Sequence, residues 1–250
     1  MKTNTITRTF GATLLAIATL ATSTSLHAAE PGVIITNSVD SIQSTDWTSN
    51  WRRVDGGYAA TGNLMIASQG SLTPKEGSAF WSGGNTSGSA TNRGIARYFP
   101  SETLQVGTYT ATFYIGQIDT ETITSFTNNF TISLLADTSK GNDYNWNERL
   151  PATAITITEN PTPGAGKWEK WTYTFTITAD TKNAAGNSVV GSTLGFLIVS
   201  LVPDKAGYAF DSLTISYAPP AAVPEPGVTA AVAGLVALIA VAFYHRRFGK

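Results

Sequence analysis

Asp143-Tyr-Asn-Trp-Asn147 is the densest group of side chains suited to recognition in this sequence. Two aromatic rings set among amides and an acid suit a sugar. A ring face stacks on the apolar side of a pyranose, and the polar groups bond its hydroxyls. Tyr144 and Trp146 are therefore candidate glycan-binding residues. Trp81 is a third, in Gly- and Ser-rich surroundings, with Trp47 also open. The plainer role for Trp146 is to fold back over the edge of a core. Trp51-Arg-Arg-Val reads as the start of a strand, which places Trp51 inside.

Catalytic alternatives are narrow. The only histidines are His27 and His245, one near each end, and there is no cysteine. The region between them therefore holds no Ser-His-Asp triad, Cys-His pair or His-ligated zinc or iron site. Carboxylate, Tyr, Lys or Ser-Lys chemistry stays open. Glycoside hydrolysis needs two carboxylates about 5–10 Å apart, and no spacing pairs any two acids here. The chain is read as a non-enzyme with no cofactor. From Glu30 to Ala218 there are 16 Asp and Glu against 11 Lys and Arg, a charge near −5 with no basic cluster. Nucleic acid is excluded as a partner on that ground.

The elements that must carry these residues alternate in polarity. In Trp171-Thr-Tyr-Thr-Phe-Thr-Ile-Thr178 every second residue is threonine, so one face is apolar and the other wet. The stretches 107–115, 129–135 and 208–217 read similarly, and 194–202 is continuously apolar, as a central strand should be. Shorter candidates are 33–37, 51–59, 63–68, 78–82, 93–99 and 153–159. Gly, Pro, Asn and Asp clusters separate them. About eight to eleven short strands imply an all-β chain with a single β-sandwich, jelly-roll-like, over 30–217. Threonine rows on strands also raise ice binding, but threonine is an ordinary wet-face residue. Ice-binding protein and glycosidase are the weakest functional readings.

Strand order carries a resemblance. Leu104-Gln-Val-Gly-Thr-Tyr-Thr-Ala-Thr-Phe-Tyr114, then Trp168 and Trp171, then 194–202 and Tyr208-Ala-Phe-Asp-Ser-Leu-Thr-Ile215, resemble galactose-binding-like jelly rolls and related carbohydrate-binding modules. The resemblance covers about 104–217 and implies fold more than function. An acid near Asp211 helps hold a structural calcium in those modules, and Asp40 or Asp46 are further oxygen donors. The simpler expectation is that Asp211 points into water.

The ends are different. Residues 1–29 combine Lys2 and Arg8, the apolar segment Phe10–Ala21 and small residues at 25–29. That is the pattern of a secretory signal peptide, cut after Ala28 or Ala29. Residues 218–227 form a Pro-rich linker. Residues 228–244 carry no charge and are read as a transmembrane helix at the short limit of about 17 residues. Its lack of a polar face argues against a core helix. Residues 245–250 form a basic cytoplasmic tail, with Arg246 and Arg247 as the membrane stop.

Val223-Pro-Glu-Pro226, one apolar span and terminal arginines together resemble the PEP-CTERM sorting signal of Gram-negative bacteria. The resemblance covers about 223–250. It implies recognition of Pro224, Glu225 and Pro226 by an exosortase, cleavage nearby, and delivery from the inner membrane to the cell surface or extracellular matrix. Partners implied are the secretion machinery, the exosortase, the membrane and an exopolysaccharide or biofilm matrix. Phe248-Gly249 interrupt the basic run that many members keep unbroken. The leading functional expectation is a sorted surface or matrix protein. The alternative is a glycan-recognition protein of the carbohydrate-binding-module kind.

Overall fold

Strict alternation of large apolar residues and threonine stays folded only where a sheet has one dry face. The computed structural model supplies two such faces. It describes residues 32–37, 39, 51–55, 58–59, 65–66, 71–82, 93–118, 130–137, 145–201, 208–221 and 226–248. The signal-peptide segment 1–29 lies outside these residues.

The chain divides into two units, Glu30–Pro220 and a second made of the two ends. The first unit contains β1 (Gly32–Asn37), β2 (Arg52–Asp55), β3 (Tyr58–Ala59), β4 (Met65–Ile66), β5 (Phe80–Ser82) and β6 (Arg93–Thr103). It continues with β7 (Gly107–Gln117), β8 (Phe130–Asp137), β9 (Ile155–Glu159), β10 (Lys167–Ile177), β11 (Thr193–Ser200) and β12 (Tyr208–Ala218). The sequence-derived stretches all carry strands, and the count among the described residues reaches twelve because 51–59 divides into β2 and β3.

Two antiparallel sheets form the sandwich. One has the order β4-β5-β12-β7-β10-β9, with β1 also on β12, and the other is β3-β2-β6-β11-β8. Tyr109, Ala111, Phe113 and Ile115 of β7 and Trp171, Tyr173, Phe175 and Ile177 of β10 line the inner face of the first sheet. They meet Leu194, Phe196 and Ile198 of β11 and Leu134 of β8 across the core. All described strands and this core lie within Glu30–Pro220, so the unit has what it needs to fold alone.

The outer face of the first sheet is threonine. The register sets Thr36, Thr214, Thr112 and Thr172 side by side across β1, β12, β7 and β10. Ser216, Thr110, Thr174 and Thr156 make the next row. Cross-strand hydroxyl pairs of this kind stabilise a sheet by a few tenths of a kcal/mol each, about 0.2–1.

Each sheet also carries a small apolar cluster on its outer face, under a loop. On the first sheet Leu72, Phe80, Ile118 and Ala209 pack with Trp168, whose indole N–H donates to Thr73 O at 2.8 Å. On the second, Val54, Ala96, Tyr98, Leu135, Leu197 and Val199 pack beneath Trp146. β11 is therefore dry on both faces, which explains its unbroken apolar run.

Asp211 departs from the sequence expectation. It is fully buried, not solvent-facing. Its carboxylate accepts the backbone N–H groups of Lys75 at 2.7 Å, Glu76 at 3.2 Å and Ser212 at 2.8 Å. It fastens the loop over 71–79 to the sheet. Ser212 has φ 53, and the register shifts between Asp211 and Thr214. This bulge returns both Phe210 and Leu213 to the core.

In the second unit, α1 (Pro226–Phe248) occupies the apolar tail, with His245, Arg246 and Arg247 in its last turn. Leu238, Phe243 and Tyr244 are exposed, so this is no core helix. Among the described residues, however, no helix is long and apolar enough to cross a membrane. The transmembrane role expected for 228–244 is not supported by the structure.

Candidate functional site

The end of the second sheet where β8 stops and β11 begins gathers polar groups from three segments. Asp137 closes β8 and pairs in register with Thr193 of β11. The loop over 178–192 rises beside them, and the turn over 145–150 is tied to that loop and to β8.

The turn is a short 3-10 helix, Trp146–Glu148, whose start is capped by Asn145; its side chain accepts the Asn147 N–H at 2.9 Å. Glu148 is buried and accepts the hydroxyl of buried Tyr98 from β6, which pins the turn to the sheet. Leu150 N–H donates to Leu134 O at 3.1 Å and to Ser133 Oγ at 3.1 Å. The Trp146 ring is half-buried on the outer cluster, and the Arg149 guanidinium lies 3.7 Å from its centroid. Arg149 Nε also donates to Trp146 O at 2.8 Å.

The loop is held as firmly. Asn183 is buried, and its Oδ1 accepts the N–H groups of Ala185 and Asn187 at 3.1 and 3.0 Å. Ala184 N–H and Ala185 N–H donate to Arg149 O and Asn147 O, tying loop to turn. Gly191, at φ 82, turns the chain back, and its N–H donates to Leu104 O at 2.7 Å. A side chain at that φ would be strained.

Beside Asp137 and this loop lies an open cleft of about 410 Å³, lined among the described residues by Asp137, Asn187, Ser188, Val190, Ser192 and Thr193. The lining offers hydroxyls, one amide, one carboxylate and one apolar side chain. That set suits a neutral, hydroxyl-rich ligand, since the carboxylate accepts from vicinal hydroxyls and the amide both donates and accepts. Among the described residues one carboxylate lines the cleft, whereas glycoside hydrolysis uses two. Among the described residues no cluster of three metal-ligating groups occurs. Burial pushes the Tyr173 hydroxyl up to about 12, against a hydrogen bond from Asn160, and also raises Tyr109. Both are core tyrosines with desolvated hydroxyls, so their shifts mark packing.

Of the residues singled out in the sequence, Trp146 packs on the outer cluster and is not among the residues lining this cleft, and Tyr144 lies outside the described residues. Trp81 is corrected: its ring has no exposed surface and packs edge-on against Tyr208 at 5.3 Å. A sugar has no face of it to stack on. Trp51 is buried as expected, its indole N–H donating to Asn37 Oδ1 at 2.6 Å. Pro224 and Glu225, like Asp40, Asp46 and Trp47, lie outside the described residues, and Pro226 opens α1. Sequence reading missed Asp137, Asn187, Ser188 and Thr193. The available signal was an acid ending a strand just ahead of the aromatic and amide stretch.

No protein-family model matches the chain, and no curated protein matches it. Solved structures do. The CBM22-1 xylan-binding domain of Paenibacillus barcinonensis Xyn10C is similar over 76% of this chain and 97% of its own, at 14% identity and a TM-score of 0.44. The C-terminal family 22 carbohydrate-binding module of Clostridium thermocellum Xyn10B covers 77% and 96%, at 15% identity and a TM-score of 0.42. The K3 cleaved adhesin domain of Lys-gingipain from Porphyromonas gingivalis covers 74% and 99%, at 12% identity and a TM-score of 0.37. At such identities and TM-scores the likeness bears on neither ligand nor site.

Proposed function

We propose that the sandwich is a glycan-recognition domain of an exported protein, binding through the cleft between Asp137 and the loop over 187–193. The observation that carries this reading is the lining itself: hydroxyl, amide and carboxylate groups on a stitched frame. A frame already fixed by Asn183 and Glu148 loses little conformational entropy on binding. In this reading the chain binds and does not catalyse.

Retention on the organism's own exopolysaccharide tests it. The segment Glu30–Pro220 is retarded in affinity electrophoresis, and Asp137→Ala or Asn187→Ala weakens retention by about tenfold or more. Unretarded wild-type protein, or variants retained as well as wild type, would overturn the proposal. Trp146→Ala, outside this lining, is expected to lower stability by uncovering the cluster beneath the ring.

A second reading concerns address. Its support is the Pro-Glu-Pro motif ahead of α1, whose exposed apolar side chains run to Arg246 and Arg247 in the last turn. In this reading an exosortase recognises Pro224, Glu225 and Pro226 and removes the apolar tail. The sandwich is released to the cell surface or matrix of a Gram-negative bacterium. Intact mass of the surface-extracted protein then lacks the residues after about 226. A mature chain still ending at Lys250 would sink the idea.

A further inference from the structure

A strand at the edge of a sheet offers unpaired N–H and C=O groups to any strand that meets it, and folds usually blunt such edges. Most edges here are blunted. β3 and β4 are two residues each, and β1 carries a register shift between Val33 and Ile35. β8 is covered by the Leu150 hydrogen bond to Leu134 and by a bridge between Leu135 and Arg149. β9 is different. It ends the seven-stranded sheet, pairs with β10, and meets no strand or bridge on its other side among the described residues.

Its side chains show the same opening. The register sets Ile157 opposite Tyr173, whose ring belongs to the core. Ile157 is nevertheless 52% exposed. An isoleucine on the core-facing side with half its surface in water marks a core left open at this edge. Thr156 and Thr158 face outward with Thr174.

We infer that β9 is a self-association edge whose occupant is β9 of a second copy, paired antiparallel across a two-fold axis. Self-complementarity points to a second copy. Turned end for end about Thr156 or about Ile157, the run meets itself with isoleucine beside isoleucine on the inner face and threonine beside threonine on the outer. No lysine or proline within β9 opposes this. Its one charge, Glu159, is held by Lys170 of the neighbouring strand at 3.3 Å. The register shift against β10 falls after Ile157, so the run from Ile155 to Ile157 stays straight. Pro161 and Pro163 end the ladder beyond it. The paired segment is short, so the dimer is weak and concentration-dependent, and it strengthens where copies are held together on a surface. This inference is independent of the glycan cleft, which lies on the other sheet.

Sedimentation velocity of Glu30–Pro220 over a range of concentrations is expected to show a monomer–dimer equilibrium. Ile157→Lys places like charges at the junction and weakens it by about tenfold or more, with the unfolding midpoint unchanged. The chain has no cysteine, so single-cysteine variants report the contact directly. On oxidation Thr156→Cys or Ile157→Cys forms a covalent dimer, whereas Thr176→Cys on the outer face of β10 does not. A wild-type segment that stays monomeric at its highest soluble concentration overturns the inference. So does a dimer that Ile157→Lys leaves intact, or the absence of a cross-link at both edge positions.

Discussion

Asp211→Ala is expected to lower the unfolding free energy of the sandwich by about 3 kcal/mol. Its carboxylate is fully buried and accepts three backbone N–H groups, two of them from the loop over 71–79. Alanine leaves the Ser212 N–H buried without its acceptor and frees the loop. Lys75, whose ammonium lies 4.6 Å from the Tyr114 ring centroid, then loses its seat. Asp211→Asn keeps one oxygen and costs less, about 1 kcal/mol. Urea unfolding followed by fluorescence and circular dichroism checks both. A loss below about 1 kcal/mol for alanine would mean that Leu72 and Phe80 hold the loop by packing alone.

Phe113→Ala carries the larger expected loss, about 3–5 kcal/mol. The ring stands at the middle of the sandwich. Its centroid is 5.5 Å from those of Phe196 and Phe210 and 5.8 Å from Tyr173, with Trp171 at 6.2 Å. Neighbours of that size on two sheets do not collapse into the space, so the cavity persists. For a domain of this length the loss corresponds to a fall in Tm of about 10 °C or more. Phe113→Leu fills most of the space and is expected to cost about 1 kcal/mol. An alanine variant melting within a few degrees of wild type would show that the core repacks.

The strands were legible because each reports its own burial. Thr172, Thr174 and Thr176 alternate with Trp171, Tyr173, Phe175 and Ile177 whatever lies opposite, since side chains on a strand point to opposite faces. Even the bulge left a trace: Phe210 and Leu213 are three apart, which breaks the two-residue period. Asp211 was misread because its partners stand some 135 residues earlier in sequence, in a loop without periodicity. Trp81 was misread for a related reason. Glycine and serine around it suggest a loop, yet β5 pairs with β12 and drives the ring inward beside Tyr208.

The cleft was the least legible feature. Asp137, Asn187 and Thr193 belong to segments some 50 residues apart, each unremarkable alone, and only the β8–β11 register brings them together. The open edge at β9 follows the same logic, for whether a strand is central or terminal depends on what pairs with it. Local order along the chain decided which residues face inward and which segments are extended, because side-chain period and turn chemistry are short-range properties. Which strands neighbour one another, and so which polar groups share a cleft and which edge stays open, came from long-range pairing. No residue encodes that by itself.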